Sequence, residues 1–208
     1  MKQKSKILNF SEDFIRLEYV ESAETCVLTE QTIVVNLRDR DSKNDSKLLK
    51  PFKSAVYSNI KFKNVENLLF ITLKTELFSN KGFPFSKEIM SSWKQVYEVF
   101  PVPSLKNIKL WRSEKERIGK IELNLWFASA GTNCGIHNEH DFSEIHAQIF
   151  GLGRIQIFHN KEFSSLHQEI YLGPGYTHDP LCSETKIYPY HQYYADTDCL
   201  WLAIEIYD

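Results

Sequence analysis

From Lys120 to the C-terminus, the chain is a succession of short segments in which apolar and polar residues alternate. Residues 120–128 (KIELNLWFA) put large apolar side chains on one strand face, and similar patterns follow at 154–158 (RIQIF), 169–175 (EIYLGPG) and 199–207 (CLWLAIEIY). Alternation with a period of two is typical of a strand with one buried face. Short strands separated by turn residues predict an antiparallel sandwich or barrel of the jelly-roll kind.

The first half of the chain continues the β pattern, with one exception. Residues 32–37, 55–62 and 67–77 are rich in β-branched and aromatic residues, which predicts strands. In residues 86–100 (SKEIMSSWKQVYEVF) the apolar residues recur at helical spacing and Ser86 is a suitable N-cap, which predicts a helix. We therefore expect an all-β barrel over 102–208, with the strands and helix of 1–101 extending it. Because no flexible linker separates the two parts, we expect one compact unit.

Composition narrows the classes of partner. The 208 residues carry a formal net charge of −2, which does not favour binding to nucleic acid or to an anionic membrane. The N-terminal sequence MKQKSKILNFSEDF has no long apolar run, so no signal peptide is expected, and no apolar stretch is long enough to span a bilayer. The four cysteines show no CxxC spacing. This favours reduced thiols and a cytoplasmic location, with one disulfide as the alternative.

A cluster of histidines and acids interrupts the β pattern in residues 131–151 (GTNCGIHNEHDFSEIHAQIFG). On a strand, His137 and Glu139 would face the same way, and in the next strand Glu144, His146 and Gln148 would share one face. If the two strands are neighbours, their imidazoles and carboxylates converge as a divalent transition metal requires. The alternative is a polar face that turns to solvent while the apolar face forms the core.

The spacing of this cluster resembles the first motif of the cupin superfamily. That motif has a glycine, five residues, a histidine, one residue, a second histidine, three or four residues, a glutamate, six residues and a glycine. Here it reads Gly131, His137, Glu139, Glu144 and Gly151, with Glu139 in place of the second histidine. The resemblance implies a cupin-type double-stranded β-helix, that is, a jelly-roll barrel.

The second cupin motif is looser and is represented by two short features. Pro174-Gly175 resembles its turn, and Pro189-Tyr190-His191 resembles its end, with extra residues around 182–186. The resemblance makes His191 the remaining metal ligand and 199–207 the closing strand. It covers the chain from about Lys120 to the C-terminus.

The resemblance implies a set of three metal ligands and leaves open the role of Glu144 and the choice between Glu139 and His140. His137, Glu139 and His191 have the layout of a 2-His-1-carboxylate facial triad, which in iron enzymes leaves coordination positions for substrate and O₂. Glu144 is the family's usual fourth ligand, and it would coordinate or orient another ligand. A bulge at 138–140 would put His140 in place of Glu139 and restore a histidine-rich site.

Other residues are weaker candidates for this site. His146 would act as an acid or base near the substrate, or as a ligand in a shifted site. His178 would line the mouth of the barrel or lie exposed in a loop. Tyrosines near His191 would shape an aromatic pocket or serve packing alone: Tyr188, Tyr190, Tyr193 and Tyr194.

By resemblance, the expected function is that of a metal-dependent cupin enzyme. An Fe(II) oxygenase, either a dioxygenase or a hydroxylase, acting on a small molecule or an amino-acid-type substrate is expected first. The alternatives are an isomerase, epimerase or lyase using Zn, Mn or Ni, and a cupin that binds a small molecule without catalysis. Use of 2-oxoglutarate would need a basic residue deep in the barrel, for which Lys161, Lys186 and Arg154 are candidates. A homodimer is expected from the resemblance alone.

Overall fold

The computed structural model describes residues 3–38, 49–74, 92–101, 103–182 and 187–207, and their regular secondary structure consists almost entirely of antiparallel strands. The prediction of an all-β fold is confirmed. The chain divides into two compact units, one of Met1–Ser91 with Gly175–Thr177 and one of Ser92–Pro174 with His178–Asp208. The four cysteines are free thiols. No helix within the described ranges is long and apolar enough to cross a membrane. The extension of the barrel by 1–101 stays a prediction.

The N-terminal unit contains one antiparallel sheet in the order β1-β2-β5-β3-β4. Its strands are β1 (Lys4–Ile7), β2 (Ile15–Leu28), β3 (Thr32–Asn36), β4 (Ser54–Tyr57) and β5 (Ile60–Leu73). β2 and β5 pair over most of their length, and apolar residues such as Val20, Val34 and Leu68 form a core. The predicted strand at 55–62 is divided between β4 and β5, because Asn59 adopts a φ of 51° and ends the extended run.

The second unit contains two antiparallel sheets. Its strands are β6 (Lys94–Gln95), β7 (Leu110–Arg112), β8 (Glu116–Ile118), β9 (Ile121–Ala128), β10 (Ser143–Phe150), β11 (Gly153–Phe158), β12 (Leu166–Leu172), β13 (Tyr190–Ala195) and β14 (Cys199–Ile206). The larger sheet has the order β10-β14-β9-β7-β6, with β8 also pairing with β9, and the smaller sheet has the order β12-β11-β13. Apolar side chains of both sheets form one core, including Leu110, Trp201, Ile155 and Tyr193. This two-sheet antiparallel arrangement is what a jelly roll requires.

The prediction of a helix at 86–100 is largely wrong for the residues of this segment that the structure describes. Residues 86–91, including Ser86, lie outside the described residues. Among the rest, only α1 (Val96–Val99) is helical, and its first turn is fixed by the Gln95 backbone N–H donating to Glu98 Oε2 at 3.0 Å. Lys94 and Gln95 instead pair with β7 as a short strand. Strand pairing has therefore prevailed over the helical spacing of the apolar residues. Trp93 and Val96 are buried, as expected of core residues.

The larger sheet buries two chemically different faces. On one face, β9, β10 and β14 carry fully buried apolar residues such as Leu123, Ile145 and Leu202. On the other face they carry Glu144, His146 and other polar residues, together with tryptophans. This second face lies against the smaller sheet, because the Tyr193 ring stacks on Trp201 with ring centroids 3.9 Å apart. The polar side chains of the barrel therefore point into the space between the two sheets.

Candidate metal centre

The segment that enters the cluster runs along β13 of the smaller sheet. Gly131 N–H donates to Ala195 O at 2.8 Å, and Cys134 N–H donates to Tyr193 O at 3.1 Å. His137 and His191 then exchange two backbone hydrogen bonds, of 3.0 and 2.9 Å. The two histidines are therefore a directly opposed antiparallel pair, and their rings lie 4.5 Å apart between centroids.

A backbone carbonyl engages one nitrogen of each of these rings. Nδ1 of His137 lies 2.8 Å from Gly135 O, and Nδ1 of His191 lies 2.9 Å from Pro189 O. A carbonyl oxygen only accepts, so Nδ1 carries the proton and Nε2 keeps its lone pair. This is the second-sphere contact by which proteins orient a histidine for metal binding.

His140 supplies the third imidazole, from the loop that connects β9 to β10. Its ring centroid lies 4.9 Å from that of His137 and 5.1 Å from that of His191. One ligand nitrogen from each of the three histidines lies within 4.8 Å of the other two. The rings of Phe142 and Tyr188 pack on His140 at 5.0 and 4.7 Å, which fixes its position.

Glu139 does not join this group, and its side chain is exposed. Residues 138–140 are not part of a strand, so the alternation that would have placed Glu139 beside His137 is lost and His140 turns inward instead. The side chains are therefore placed as in the alternative in which His140 replaces Glu139, but a loop and not a β-bulge brings His140 inward. Glu139 as a ligand stays a prediction that the geometry does not favour.

Glu144 approaches the three histidines from β10 of the opposite sheet. Its Oε2 lies 3.9 Å from Nε2 of His140, and its Oε1 lies 3.3 Å from Nε2 of His146. Burial would raise the pKa of this carboxyl group, but the charge and hydrogen bond of His146 hold the pKa below its usual range. The two halves of the first motif thus converge because they lie in facing sheets, not in neighbouring strands.

The donor set fits a divalent transition metal. Burial and the nearby His137 lower the pKa of His191 to about 4, and burial also lowers the pKa of His140, so both rings are neutral at pH 7. The Nε2 atoms of His140 and His191 are buried and have no hydrogen-bond partner within the described structure. Neutral imidazoles with free lone pairs and an adjacent carboxylate suit Zn, Fe, Ni or Cu.

His146 and His178 lie next to this group and support it. The backbone N–H of His146 donates to Nε2 of His178 at 2.8 Å, and Nδ1 of His178 lies 2.6 Å from Asp179 O. His178 is 1% exposed, so it is a buried structural residue and not an exposed loop histidine. His146 is held beside Glu144 and forms an imidazole–carboxylate couple with it.

The tyrosines near His191 have separate roles. The hydroxyl of Tyr188 accepts a hydrogen bond from the backbone N–H of Glu144, and the hydroxyl of Tyr193 donates to Gln148 Oε1 at 2.8 Å. Tyr188 therefore shapes the centre, whereas Tyr193 packs in the core between the sheets. Tyr190 and Tyr194 lie on the opposite face of β13 from His191.

Two of the basic residues proposed for 2-oxoglutarate, Arg154 and Lys161, are not placed to hold it. Arg154 pairs with Glu169 at 2.9 Å and with Asp196 at 2.5 Å, as expected of a surface ion pair. Lys161 is exposed, and Lys186 lies outside the described residues. Arg112 was missed by the sequence reasoning. Its register partner on β9 is Trp126, whose ring lies 5.7 Å from the guanidinium carbon.

No protein-family model matches the sequence, and no curated protein sequence matches it. Among solved structures, the chain is similar to a cupin superfamily protein from Desulfitobacterium hafniense, with 14% identity and a TM-score of 0.38 over 52% of this chain and 90% of that one. It is also similar to KdgF from Halomonas sp., with 14% identity and a TM-score of 0.39 over 56% and 87% of the two chains. Ectoine synthase from P. lautus gives 14% identity and a TM-score of 0.37 over 54% and 75%.

Proposed function

We propose that this protein is a metal-dependent enzyme of the cupin type that holds one divalent transition metal on His137, His140 and His191. The observation that carries the proposal is the convergence of the three ligand nitrogens within 4.8 Å of one another. Three protein ligands are typical of a catalytic metal site, because they leave coordination positions for other molecules. Glu144 is the candidate fourth ligand.

Fe(II) is the metal we propose first, with oxygenation of a small molecule or an amino-acid-type compound as the reaction. A bound Fe(II) would supply adjacent positions for substrate and O₂. The protein's part is to hold the three imidazoles together and to keep Glu144 and His146 beside them. Use of 2-oxoglutarate as a cosubstrate remains an additional proposal, for which Arg112, on the inner face of the larger sheet, is a candidate cation.

The Glu144–His146 couple favours a second candidate, an isomerase, epimerase or lyase. The 3.3 Å contact between Glu144 Oε1 and His146 Nε2 gives a carboxylate and an imidazole that share a proton at one edge of the metal-holding histidines. Such a couple suits proton abstraction and return, while a bound Zn, Mn or Ni would polarise a carbonyl group of the substrate. A cupin that binds a small molecule without turnover would need neither residue.

Metal analysis and nitric oxide separate these functions without a known substrate. Protein purified without chelator is analysed for metal, then emptied and reloaded anaerobically with Fe(II), Zn, Mn or Ni. An oxygenase should bind nitric oxide, a surrogate for O₂, at the Fe(II) and give the EPR spectrum of a high-spin iron–nitrosyl complex. Fe(II) that binds without this spectrum contradicts the oxygenase and leaves the proton-transfer reactions. If no metal is bound after reloading, both enzyme proposals are wrong.

A small molecule is the partner that we propose for this site, in a chain that we propose to be cytoplasmic. The homodimer rests only on the resemblance to cupins. Light scattering after size-exclusion chromatography tests it, because a single peak at the 24.4 kDa mass of one chain contradicts it.

A further inference from the structure

Beyond the metal centre, the inner face of the larger sheet carries polar side chains around Ala203. Ala203 pairs with His146 on β10 and with Asn124 on β9, and Trp201 lies two residues before it on β14. Residues directly opposite in an antiparallel pair point to the same face, so these three side chains surround one methyl group. The strands of His146 and Asn124 are two interstrand spacings apart, or about 10 Å, so their side chains flank the position over Ala203 from both sides.

These three side chains are buried, yet each has polar atoms that nothing else in the described ranges satisfies. Asn124 is 0% exposed, and both its amide nitrogen and its amide oxygen lack a hydrogen-bond partner. Nδ1 of His146 and Nε1 of Trp201 are also buried and unpartnered. An unsatisfied buried polar group lowers the free energy of unfolding. Three side chains with such groups around one small residue therefore indicate a site for a polar ligand.

The unpartnered atoms define what that ligand must offer. Nε2 of His146 faces the Glu144 carboxylate at 3.3 Å, which favours the tautomer with the proton on Nε2 and leaves Nδ1 as an acceptor. The amide oxygen of Asn124 is a second acceptor. The row of His146 and Asn124 can therefore receive hydrogen bonds from hydroxyl groups, while the indole N–H of Trp201 and the amide of Asn124 donate to oxygen atoms.

A cation lies in the next row of the same face. Arg112 pairs with Trp126, and Trp126 pairs with Trp201, so the three side chains lie side by side. Nε of Arg112 is buried and unpartnered, and Arg112 forms no ion pair among the described residues. The nearby Glu205 is already paired with Lys115. The charge of Arg112 is thus available to a ligand carboxylate at the Trp201 end of the site.

We propose that the position over Ala203 is the substrate site of the metal centre, and that its substrate is a small hydroxylated carboxylate. Hydroxyl groups would meet the row of His146 and Asn124, and the carboxylate would meet Trp201 and Arg112. The proposal rests on the proposed function for calling the ligand a substrate. Binding itself can be tested with metal-free protein.

Three four-carbon compounds serve as probes: tartrate carries hydroxyls and carboxylates, succinate lacks the hydroxyls, and erythritol lacks the carboxylates. The readout is the indole N–H resonance of Trp201 in metal-free, ¹⁵N-labelled protein. The chain has four tryptophans, so its indole region is simple. Trp201→Phe assigns the resonance by its loss, and Trp126→Phe is the matched control in the same row.

Tartrate is expected to shift the Trp201 resonance saturably and to leave that of Trp111, which lies on the opposite face of β7, unchanged. Succinate and erythritol should bind at least about tenfold more weakly, because each leaves unpaired atoms in the site. Asn124→Leu should abolish the shift while keeping the side-chain volume. Ala203→Val should also abolish it, because it fills the position without removing a polar atom.

Three results overturn the proposal. The absence of any shift at Trp201 with all three probes up to about 50 mM would mean that water alone meets these atoms. A shift with erythritol but not with tartrate would contradict the carboxylate class. A tartrate shift that persists in both Asn124→Leu and Ala203→Val would place the binding elsewhere. Failure of the protein to bind metal would instead contradict the proposed function and leave these outcomes unaffected.

Discussion

The three histidines of the centre are held in place by local contacts of two kinds, backbone carbonyls and aromatic rings. His137 and His191 are opposed in a strand pair and use Nδ1 on backbone carbonyls. His140 is held by the rings of Phe142 and Tyr188. From motif spacing, the sequence predicted His137, Glu139 and His191 as ligands, with Glu144 beside them and His140 as the alternative to Glu139. The structure groups His140 with the other two histidines. Sequence alone misses this because it depends on whether 138–140 keeps strand alternation.

The buried His191 predicts a pH dependence of stability in the metal-free protein. Its pKa is lowered from 6.5 to about 4, so between these values the unfolded chain binds a proton that the folded chain does not. The free energy of unfolding should therefore fall as the pH drops from 6.5 to 4, by on the order of 3 kcal/mol, and be fully restored above 6.5. Urea unfolding of the wild type and of His191→Gln at several pH values measures this contribution. Parallel pH profiles for the two proteins would contradict it.

The strands of the barrel were predictable where the alternation is regular, and the connections were not. β9, β11 and β14 begin and end within a few residues of the predicted segments. The helix at 86–100 failed for the described residues because pairing with β7 took Lys94 and Gln95. Asn124 was missed because the sequence analysis considered only the apolar face of β9, whereas the polar face points between the two sheets.

The glycine that ends the first motif fixes the turn from β10 to β11, and its replacement should be costly. Gly151 has a φ of +75°, and a Cβ there would overlap the carbonyl oxygen of Asp198. We expect Gly151→Ala to lower the free energy of unfolding by about 2 kcal/mol or more. Gly119, with a φ of +60° and open space around it, is the matched control. Gly119→Ala should cost about 1 kcal/mol, from backbone strain alone. Equal losses in urea unfolding would contradict the steric role of Gly151.

Both faces of the larger sheet in the second unit are buried, and the two faces differ in chemistry. One face carries buried apolar residues along β9, β10 and β14, while the other carries Glu144, His146 and the polar atoms around Ala203. Alternation in the sequence showed that the two faces differ. It did not show that the polar face is also buried, because that requires the smaller sheet to cover it.

Metal binding should stabilise the molecule as a whole, because the unfolded chain does not hold the three imidazoles together. At a free metal concentration about 100-fold above the dissociation constant, the gain is about 2.7 kcal/mol. Thermal unfolding with and without added Zn measures it, and His191→Gln should remove the gain. An equal shift of the melting temperature in wild type and variant would place the metal elsewhere.

The most direct test of the three-histidine centre is the metal content of two neighbouring variants. Glu139→Ala and His140→Ala are purified like the wild type, reloaded with the same metal and analysed for bound metal and affinity. The structure predicts that His140→Ala loses at least about 100-fold in affinity, whereas Glu139→Ala stays within about threefold of the wild type, because its side chain is exposed. Cupin motif spacing alone predicts the reverse order. Greater metal loss in Glu139→Ala than in His140→Ala would contradict the three-histidine centre.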